Sequence, residues 1–436
     1  MRKSYSFFYA YMQFWVNIAL RVFFKNILVR YEEELPKDQP LMYCGNHQNA
    51  FLDALLIAVI TNTQPASLVR ADIFQNKFAA KLLATLRMMP IYRIRDGIKS
   101  MNKNDEIFRQ CYQLLSEGNT LIIFPEGNHG DRRKLRTLKK GAARIAFGAL
   151  NQFDSPEKDV KVVPIGINYN HHSKFRSNVV VNFGKPISVR DYETVYKEDQ
   201  GAAVKTLTQE LFVRMRKQML DISVGENFYF EASGFLERLY PAVHRKTNRL
   251  AKSYSNSKLL ADKFTAHVKD NSEQELEYFY QKVRRFNKLH SQLNEPPLEQ
   301  GVQSHLVPLI FLFPFFAVGA INFYLPYKLI STQSTRLFKD PQFIGSMKVA
   351  MGLLIFPLYL TILAVVLGLV FKPQVGILYF VGSLLIGITS LIYIDLSNET
   401  ARARKMRKKL VEAPELMKEL DDLQGEIIDL VEEDKN

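Results

Sequence analysis

Cysteine is scarce: Cys44 and Cys111 are the only two in 436 residues, and they lack CxxC spacing. That excludes a disulfide framework and a thiolate zinc site, and it suits a reducing environment. No Gly-x-Ser-x-Gly elbow and no phosphate-binding glycine loop occur, which removes serine hydrolases working through an acyl-enzyme and removes nucleoside triphosphatases. Neither His129 nor the His171-His172 pair, taken with its neighbours, supplies a complete metal set, so no metal is expected. RNA-binding aromatic motifs, internal repeats and low-complexity segments are missing too. Charge is missing locally: residues 306–327, 349–371 and 375–394 contain no Asp, Glu, Lys or Arg. Each run has the ~20 residues needed to cross a hydrocarbon core.

What is present is an excess of cations, 58 Lys plus Arg against 44 Asp plus Glu, for a net charge of +14. Such a surface attracts anions, whether phospholipid headgroups, nucleic acid or phosphorylated small molecules. The chain is too long for one core, and its composition divides it into segments. Residues 1–34 open with Arg2, Lys3 and an aromatic-rich run but show no small-residue cleavage site, which predicts an uncleaved helix at a membrane interface. Residues 35–195 alternate short apolar strands with amphipathic helices; 196–300 are helical and charged; 301–396 hold the apolar runs; 397–436 turn basic, then acidic. Basic clusters flank the apolar region at Lys282–Lys288 and Arg402–Lys409. Three crossings would put those clusters on opposite sides of a membrane, against the positive-inside tendency. The expectation is therefore a re-entrant first run, broken by Pro308, Pro314 and Pro326, and a spanning hairpin turned at Lys372 to Gln374; three spans stay open.

The 35–195 segment predicts an α/β fold with a largely parallel sheet flanked by helices. Strands are expected at Leu41–Gly45, Ser67–Arg70, Thr120–Phe124, Val162–Asn168 and Val179–Phe183, and helices at Asp53–Thr61, Lys103–Glu117 and Leu138–Leu150. In the charged segment one apolar face runs Val204, Leu207, Leu211, Met215, Met219. Another runs Leu276, Phe279, Val283, Phe286, Leu289, behind a capping box of Ser272 and Glu275. The tail spaces Leu416, Leu420, Leu423, Ile427 and Leu430 for a surface helix.

In parallel sheets, sites form at the carboxyl ends of strands. Directly after the first strand stands Gly45-Asn46-His47-Gln48-Asn49-Ala50-Phe51-Leu52-Asp53. Neutral imidazole near pH 7 is suited to removing a hydroxyl proton, and a carboxylate would fix its tautomer. Six positions rotate a regular helix by about 240°, so His47 and Asp53 meet only if His47 precedes the helix. There the helix N-terminus would also help to keep the ring neutral. A loop histidine and a helix-capping aspartate fit the same letters.

Four blocks in order resemble the glycerolipid acyltransferase superfamily. His47 and Asp53 resemble its His-x4-Asp motif with five residues between instead of four. That longer spacing is similar to the glycerol-3-phosphate and dihydroxyacetone-phosphate acyltransferases of fungi and some bacteria. Met89-Pro90-Ile91-Tyr92-Arg93-Ile94-Arg95 resembles the acceptor-binding segment, preceded by Val69-Arg70-Ala71-Asp72. Phe124-Pro125-Glu126-Gly127 is the most specific element; the usual Thr-Arg-Ser after it is replaced by Asn128-His129-Gly130, and Asp131-Arg132 and Leu138-Lys139-Lys140-Gly141 follow. Val163-Pro164-Ile165-Gly166-Ile167-Asn168 resembles a wall-forming strand.

The resemblance implies His47 as base with Asp53 as partner, and Arg93 at the phosphate position with Arg95 helping. Glu126 would hold the acceptor hydroxyl or brace its loop. A phosphate dianion calls for guanidinium and backbone donors, which Arg93, Arg132, Lys140 and the turn at Gly127 supply; a solvated basic face accounts equally for Arg132 and Lys140. The implied activity is acyl transfer from acyl-CoA or acyl carrier protein to glycerol 3-phosphate or dihydroxyacetone phosphate in phospholipid biosynthesis. No cofactor is expected beyond that donor, nor any nucleic-acid partner. The implied setting is an integral membrane protein in contact with membrane lipids, its catalytic domain on the cytoplasmic side. The rival readings are an acyltransferase or transacylase acting on 1-acylglycerol 3-phosphate or another lysophospholipid, and a basic membrane scaffold without catalysis.

Overall fold

The computed structural model describes residues 6–92, 103–130, 132–239, 247–293 and 304–432. Two compact units emerge. One comprises residues 1–21, 29–172 and 179–219; the other comprises 22–28, 173–178 and 220–436.

The first unit is built on a mixed sheet. Its strands are β1 (Phe24–Tyr31, shared with the second unit), β2 (Leu41–Gly45), β3 (Ala66–Arg70), β4 (Met88–Ile91), β5 (Leu121–Ile123), β6 (Lys161–Tyr169), β7 (Ser177–Phe183) and β8 (Ile187–Ser188). The order is β1-β7-β6-β2-β5-β3-β4, with β8 also on β6. The five strands β6, β2, β5, β3 and β4 run parallel. β7 and β8 lie antiparallel on successive stretches of β6, interrupted around Pro186. β2, Leu-Met-Tyr-Cys-Gly, is buried along its whole length, as expected of a central parallel strand covered on both faces.

Helices α1 (Phe7–Phe23), α2 (Ala50–Thr61), α3 (Lys77–Thr85), α4 (Lys103–Ser116), α5 (Gly141–Leu150), α6 (Glu193–Glu198) and α7 (Gln200–Gln218) accompany these strands. Met42 and Cys44 on one face of β2 join a core with Cys111, Leu115, Ile145, Phe147, Leu207 and Met215. Each such side chain contributes roughly 1.5–3 kcal/mol by leaving water. The face from Val204 to Met219 is buried as the periodicity predicts. Its end docks on β6 at Gly166, where a Cβ would lie 2.1 Å from the Gln218 carbonyl oxygen; only glycine admits that approach. Helix α1 hides Tyr9, Val16 and Leu20 and exposes Phe7, Tyr11, Phe14, Ile18 and Val22.

The second unit continues with α8 (Tyr229–Leu239), α9 (Thr247–Asp270), α10 (Glu273–Gln292), α11 (Leu306–Leu337), α12 (Pro341–Val370), α13 (Pro373–Glu412) and α14 (Pro414–Glu432). The Ser272–Glu275 capping box is present. Two expected faces need adjustment. The α10 face closes on His290 rather than Leu289, and the α14 face buries Met417 and Val431 rather than Leu416 and Leu430. In α14 the stripe is turned by about one position so that its acids meet cations on α9 and α10: Glu426 pairs with Lys282 at 2.6 Å, Glu432 with Lys263 at 2.5 Å, and Glu419 with Arg285.

Among the described residues, helices α11, α12 and α13 are the three that are long and apolar enough to cross a membrane. The expected break of the first run does not occur, for α11 stays helical through Pro314 and Pro326. Pro326 has no N–H for the Asn322 carbonyl, and the Tyr359 hydroxyl on α12 donates to that carbonyl at 3.0 Å. A backbone acceptor in an apolar setting needs such a partner. The turn between α12 and α13 falls at Phe371 and Lys372, slightly ahead of the expected Lys372 to Gln374, because α13 starts with Pro373 in its first turn. Beyond its apolar stretch α13 carries Asp395 and Glu399, paired with Arg176 at 2.6 Å and Lys25 at 2.8 Å.

Candidate active site

The carboxyl ends of β2, β5 and β6 form the floor of the site. In-register pairing puts Cys44 beside both Ile123 and Pro164, so the chain leaves β2 and β5 at one level. The β2 exit is anchored by Asn46, which exchanges two bonds with Ile167 of β6: its amide donates to the Ile167 carbonyl at 3.0 Å, and its oxygen accepts from the Ile167 N–H at 2.6 Å. His47 therefore leaves the sheet at a fixed point, ahead of the helix as required.

Helix α2 begins at Ala50 with Asp53 in its first turn. His47 Nδ1 donates to Asp53 Oδ2 at 2.8 Å, and the Gln48 and Asn49 amides donate to the same oxygen at 2.9 Å each. The five-residue spacing is absorbed by the backbone at Ala50, whose φ is +43°. That left-handed conformation is disfavoured for a side chain bearing a Cβ and folds the additional residue into the helix start. Asp53 is fully buried, and Tyr169, the last residue of β6, donates its hydroxyl to Asp53 Oδ1 at 2.5 Å. Among the described residues, His47 Nε2 has no hydrogen-bond partner. The ring stacks on Phe124 at 4.2 Å and meets the His129 ring edge-on at 5.5 Å.

The Phe-Pro-Glu-Gly turn supports the backbone of the same residue. Glu126 is buried, and its Oε1 accepts from the His47 N–H at 2.9 Å, while Arg136 Nε donates to its Oε2 at 2.5 Å. Arg136 Nη2 donates to the His47 carbonyl at 3.3 Å and also to the Asn128 carbonyl; the Gly130 N–H reaches the His47 carbonyl at 3.0 Å. Burial pushes the Glu126 carboxyl above the usual carboxylate range, and the Arg136 charge pulls the other way. Gly127 adopts φ +75°, which lets the turn close at the strand end.

The structure thus brings His47, Asp53, Glu126 and Gly127 together. The Arg132 carbonyl accepts from the Gln48 side chain at 2.9 Å, which holds the basic loop beside His47. Lys140 is exposed, at the start of α5. Arg93 and Arg95 lie outside the described residues. Tyr92, immediately before Arg93, is fixed at the end of β4 by a two-way exchange with the Asn104 side chain, at 2.9 and 2.8 Å. Sequence reasoning overlooked Arg136 and Tyr169. Arg136 is concealed in a run of cations, and Tyr169 stands one residue past the fourth block with nothing local to mark it. Cys44 is buried, and burial pushes its thiol well above the usual range, consistent with a core residue.

This geometry can take a proton at Nε2 while a buried carboxylate stabilises the imidazolium. Residues 26–168 match the family model described as Acyltransferase. Over 118 residues the chain is 36% identical to glycerol-3-phosphate O-acyltransferase 1 of Saccharomyces cerevisiae, covering 27% of this chain and 15% of that protein. It is 26% identical over 146 residues to the chloroplastic 1-acyl-sn-glycerol-3-phosphate acyltransferase of Arabidopsis thaliana, covering 33% of this chain and 38% of the relative. A crystal structure of the 1-acyl-sn-glycerophosphate acyltransferase from Thermotoga maritima aligns with TM-score 0.32 and 19% identity over 46% of this chain and 79% of its own. The chain thus spans well under half the length of these two sequence relatives.

Proposed function

We propose that this chain, which through residues 26–168 belongs to the glycerolipid acyltransferase superfamily, transfers a fatty acyl group from a thioester donor, acyl-CoA or acyl carrier protein, to glycerol 3-phosphate or dihydroxyacetone phosphate. The observation that carries the reading is the His47 Nδ1 to Asp53 bond of 2.8 Å at the carboxyl end of β2. It orients the opposite nitrogen, Nε2, to receive a proton. As the acceptor oxygen attacks the thioester carbonyl, its proton passes to Nε2. When the C–S bond breaks, the imidazolium returns that proton to the departing thiolate, leaving an ester and a thiol. Positioned proton transfer of this kind contributes about 10²- to 10⁴-fold. No cofactor beyond the donor enters the step.

The acceptor phosphate is assigned to Arg93, aided by Arg95, Arg132 and Lys140. β4, which precedes Arg93 in sequence, lies three strand spacings from β2, roughly 14 Å. Glu126 and Gly127 shape the floor between them. The acceptor choice is supported by the five-residue spacing and by the likeness to the yeast protein named glycerol-3-phosphate O-acyltransferase 1. The likeness to the Arabidopsis protein favours a second reading, in which the acceptor is 1-acylglycerol 3-phosphate. Helices α11 to α13 suit a protein held in a membrane. An even number of crossings would keep both basic clusters, Lys282–Lys288 and Arg402–Lys409, on the cytoplasmic side together with the catalytic segment.

Labelled acyl-CoA offered in parallel to glycerol 3-phosphate, dihydroxyacetone phosphate and lysophosphatidate tests this. Acylation of either of the first two is expected. Acylation of lysophosphatidate alone would establish the second reading, and no transfer to any acceptor would defeat both.

A further inference from the structure

Asp53 is shared by four donors. Three come from its own loop and all bond Oδ2: His47 Nδ1 at 2.8 Å and the amides of Gln48 and Asn49 at 2.9 Å. The fourth comes from a strand 116 positions further along the chain, where the Tyr169 hydroxyl donates to Oδ1 at 2.5 Å. Among the described residues it is the one donor on Oδ1. Both partners are buried, Asp53 completely.

A carboxylate can rotate about its Cβ–Cγ bond. A donor fixed to Oδ1 by a rigid strand removes that freedom and keeps Oδ2 facing the imidazole. The same bond draws negative charge toward Oδ1, so less remains to stabilise a proton on the ring. A hydrogen bond to an ionised group is among the stronger ones, and a buried setting strengthens it further.

We propose that Tyr169 is a positioning residue for the transfer reaction, setting both the orientation and the proton affinity of His47 through Asp53. The inference rests on the reading of His47 as base. The groups around the ring leave this assignment to Tyr169. Asp53 is on Nδ1; Phe124 covers one face at 4.2 Å; His129 stands edge-on at 5.5 Å. Glu126, Arg136 and Gly130 bond the His47 backbone and not its ring. Around Tyr169 itself, Arg133 donates to its carbonyl at 3.4 Å and the His172 ring lies 5.4 Å away. Burial and the Asp53 charge hold the phenol well above its ordinary pKa, so it remains a donor over any assay range.

The test is the pH profile of kcat/KM for the whole chain in lipid nanodiscs, with wild type, Tyr169→Phe and a variant carrying 3-fluorotyrosine at position 169. Losing the hydroxyl leaves more charge on Oδ2 and raises the proton affinity of the ring. In Tyr169→Phe the acidic limb should move up by about 0.5–1 pH unit, a three- to tenfold change in the protonation equilibrium. Plateau kcat should fall by roughly 3- to 30-fold from loosened orientation, with both KM values within about twofold. Fluorotyrosine, a stronger donor of nearly the same size, should move the limb down. A limb that stays at the wild-type pH in both variants overturns the proposal. Should Tyr169→Phe fail to fold, the fluorotyrosine shift decides alone. His47→Ala in parallel separates the two levels: if it is inactive while both Tyr169 variants keep the wild-type profile, the role of Tyr169 fails and the base survives, and if it is fully active the base itself fails.

Discussion

Arg136→Ala is the sharpest test of how the site is held. Its guanidinium is about one-third exposed, whereas the Glu126 carboxylate it meets is almost completely enclosed. Removing one partner of a fully buried pair costs about 3–5 kcal/mol because a charge is left without compensation. Solvent at the arginine reduces this, and about 2–3 kcal/mol is the appropriate range here. For a unit of some 200 residues that lowers Tm by about 4–12 °C. The pH dependence has a defined sign. Burial raises the folded-state pKa of Glu126 above its unfolded value and Arg136 offsets part of the rise. The folded chain therefore binds the proton more tightly than the unfolded chain, and stability from this group declines as pH climbs through the window above the usual carboxylate value. Without Arg136 the pKa rises further, so the Tm loss should be larger at about pH 8 than at about pH 5. Glu126→Gln in the same background should return most of the loss, since an amide can still accept from the His47 N–H. The assay is thermal unfolding of purified protein at both pH values for the two single variants and the double variant. Equal losses at both pH values, or no rescue by glutamine, would refute the view that Arg136 acts by neutralising a buried Glu126.

His47→Ala should abolish turnover, a loss of at least about 10²-fold, with unchanged Tm, read by acyl transfer and thermal unfolding together; residual activity near wild type removes the base assignment. Arg93→Ala should raise the acceptor KM about tenfold or more while leaving the donor KM alone; steady-state kinetics with each substrate varied will show a flat acceptor KM if the phosphate is gripped elsewhere. Ala50→Gly should stabilise the first unit by about 0.5–1 kcal/mol, because glycine accepts the left-handed backbone there without the Cβ penalty; a lower Tm would mean that the Ala50 methyl contributes more through packing. Tyr359→Phe should lower the Tm of the helical membrane unit by exposing the unpaired Asn322 carbonyl, at about 1–2 kcal/mol, and an unchanged Tm would point to another donor for it.

Four of the five parallel strands, β2, β3, β5 and β6, were legible because each is a short apolar run bounded by Gly, Pro, Asn or Asp, whereas β4 (Met88–Ile91) was not expected. The site followed from them, since a histidine two residues past the end of β2 has to stand at the mouth of the sheet. What was not legible depends on distance along the chain. Arg136 reaches Glu126 from ten positions along the chain, among neighbours of the same charge, and no periodicity separates the cation that meets Glu126 from the others. Tyr169 reaches Asp53 only because β6 lies directly beside β2, with Gly45 opposite Ile165. The prolines of α11 misled for a related reason. Within one segment Pro326 reads as a break, whereas the Tyr359 hydroxyl that satisfies the freed carbonyl belongs to the next helix. Local rules thus recover elements and the residues at their ends, while each residue they overlook here, Arg136, Tyr169 and Tyr359, has the partner that explains it in a different block of sequence. The same logic explains why His47 and Asp53 could be paired at all. They lie six positions apart, and their contact is decided by the conformation of a single intervening turn.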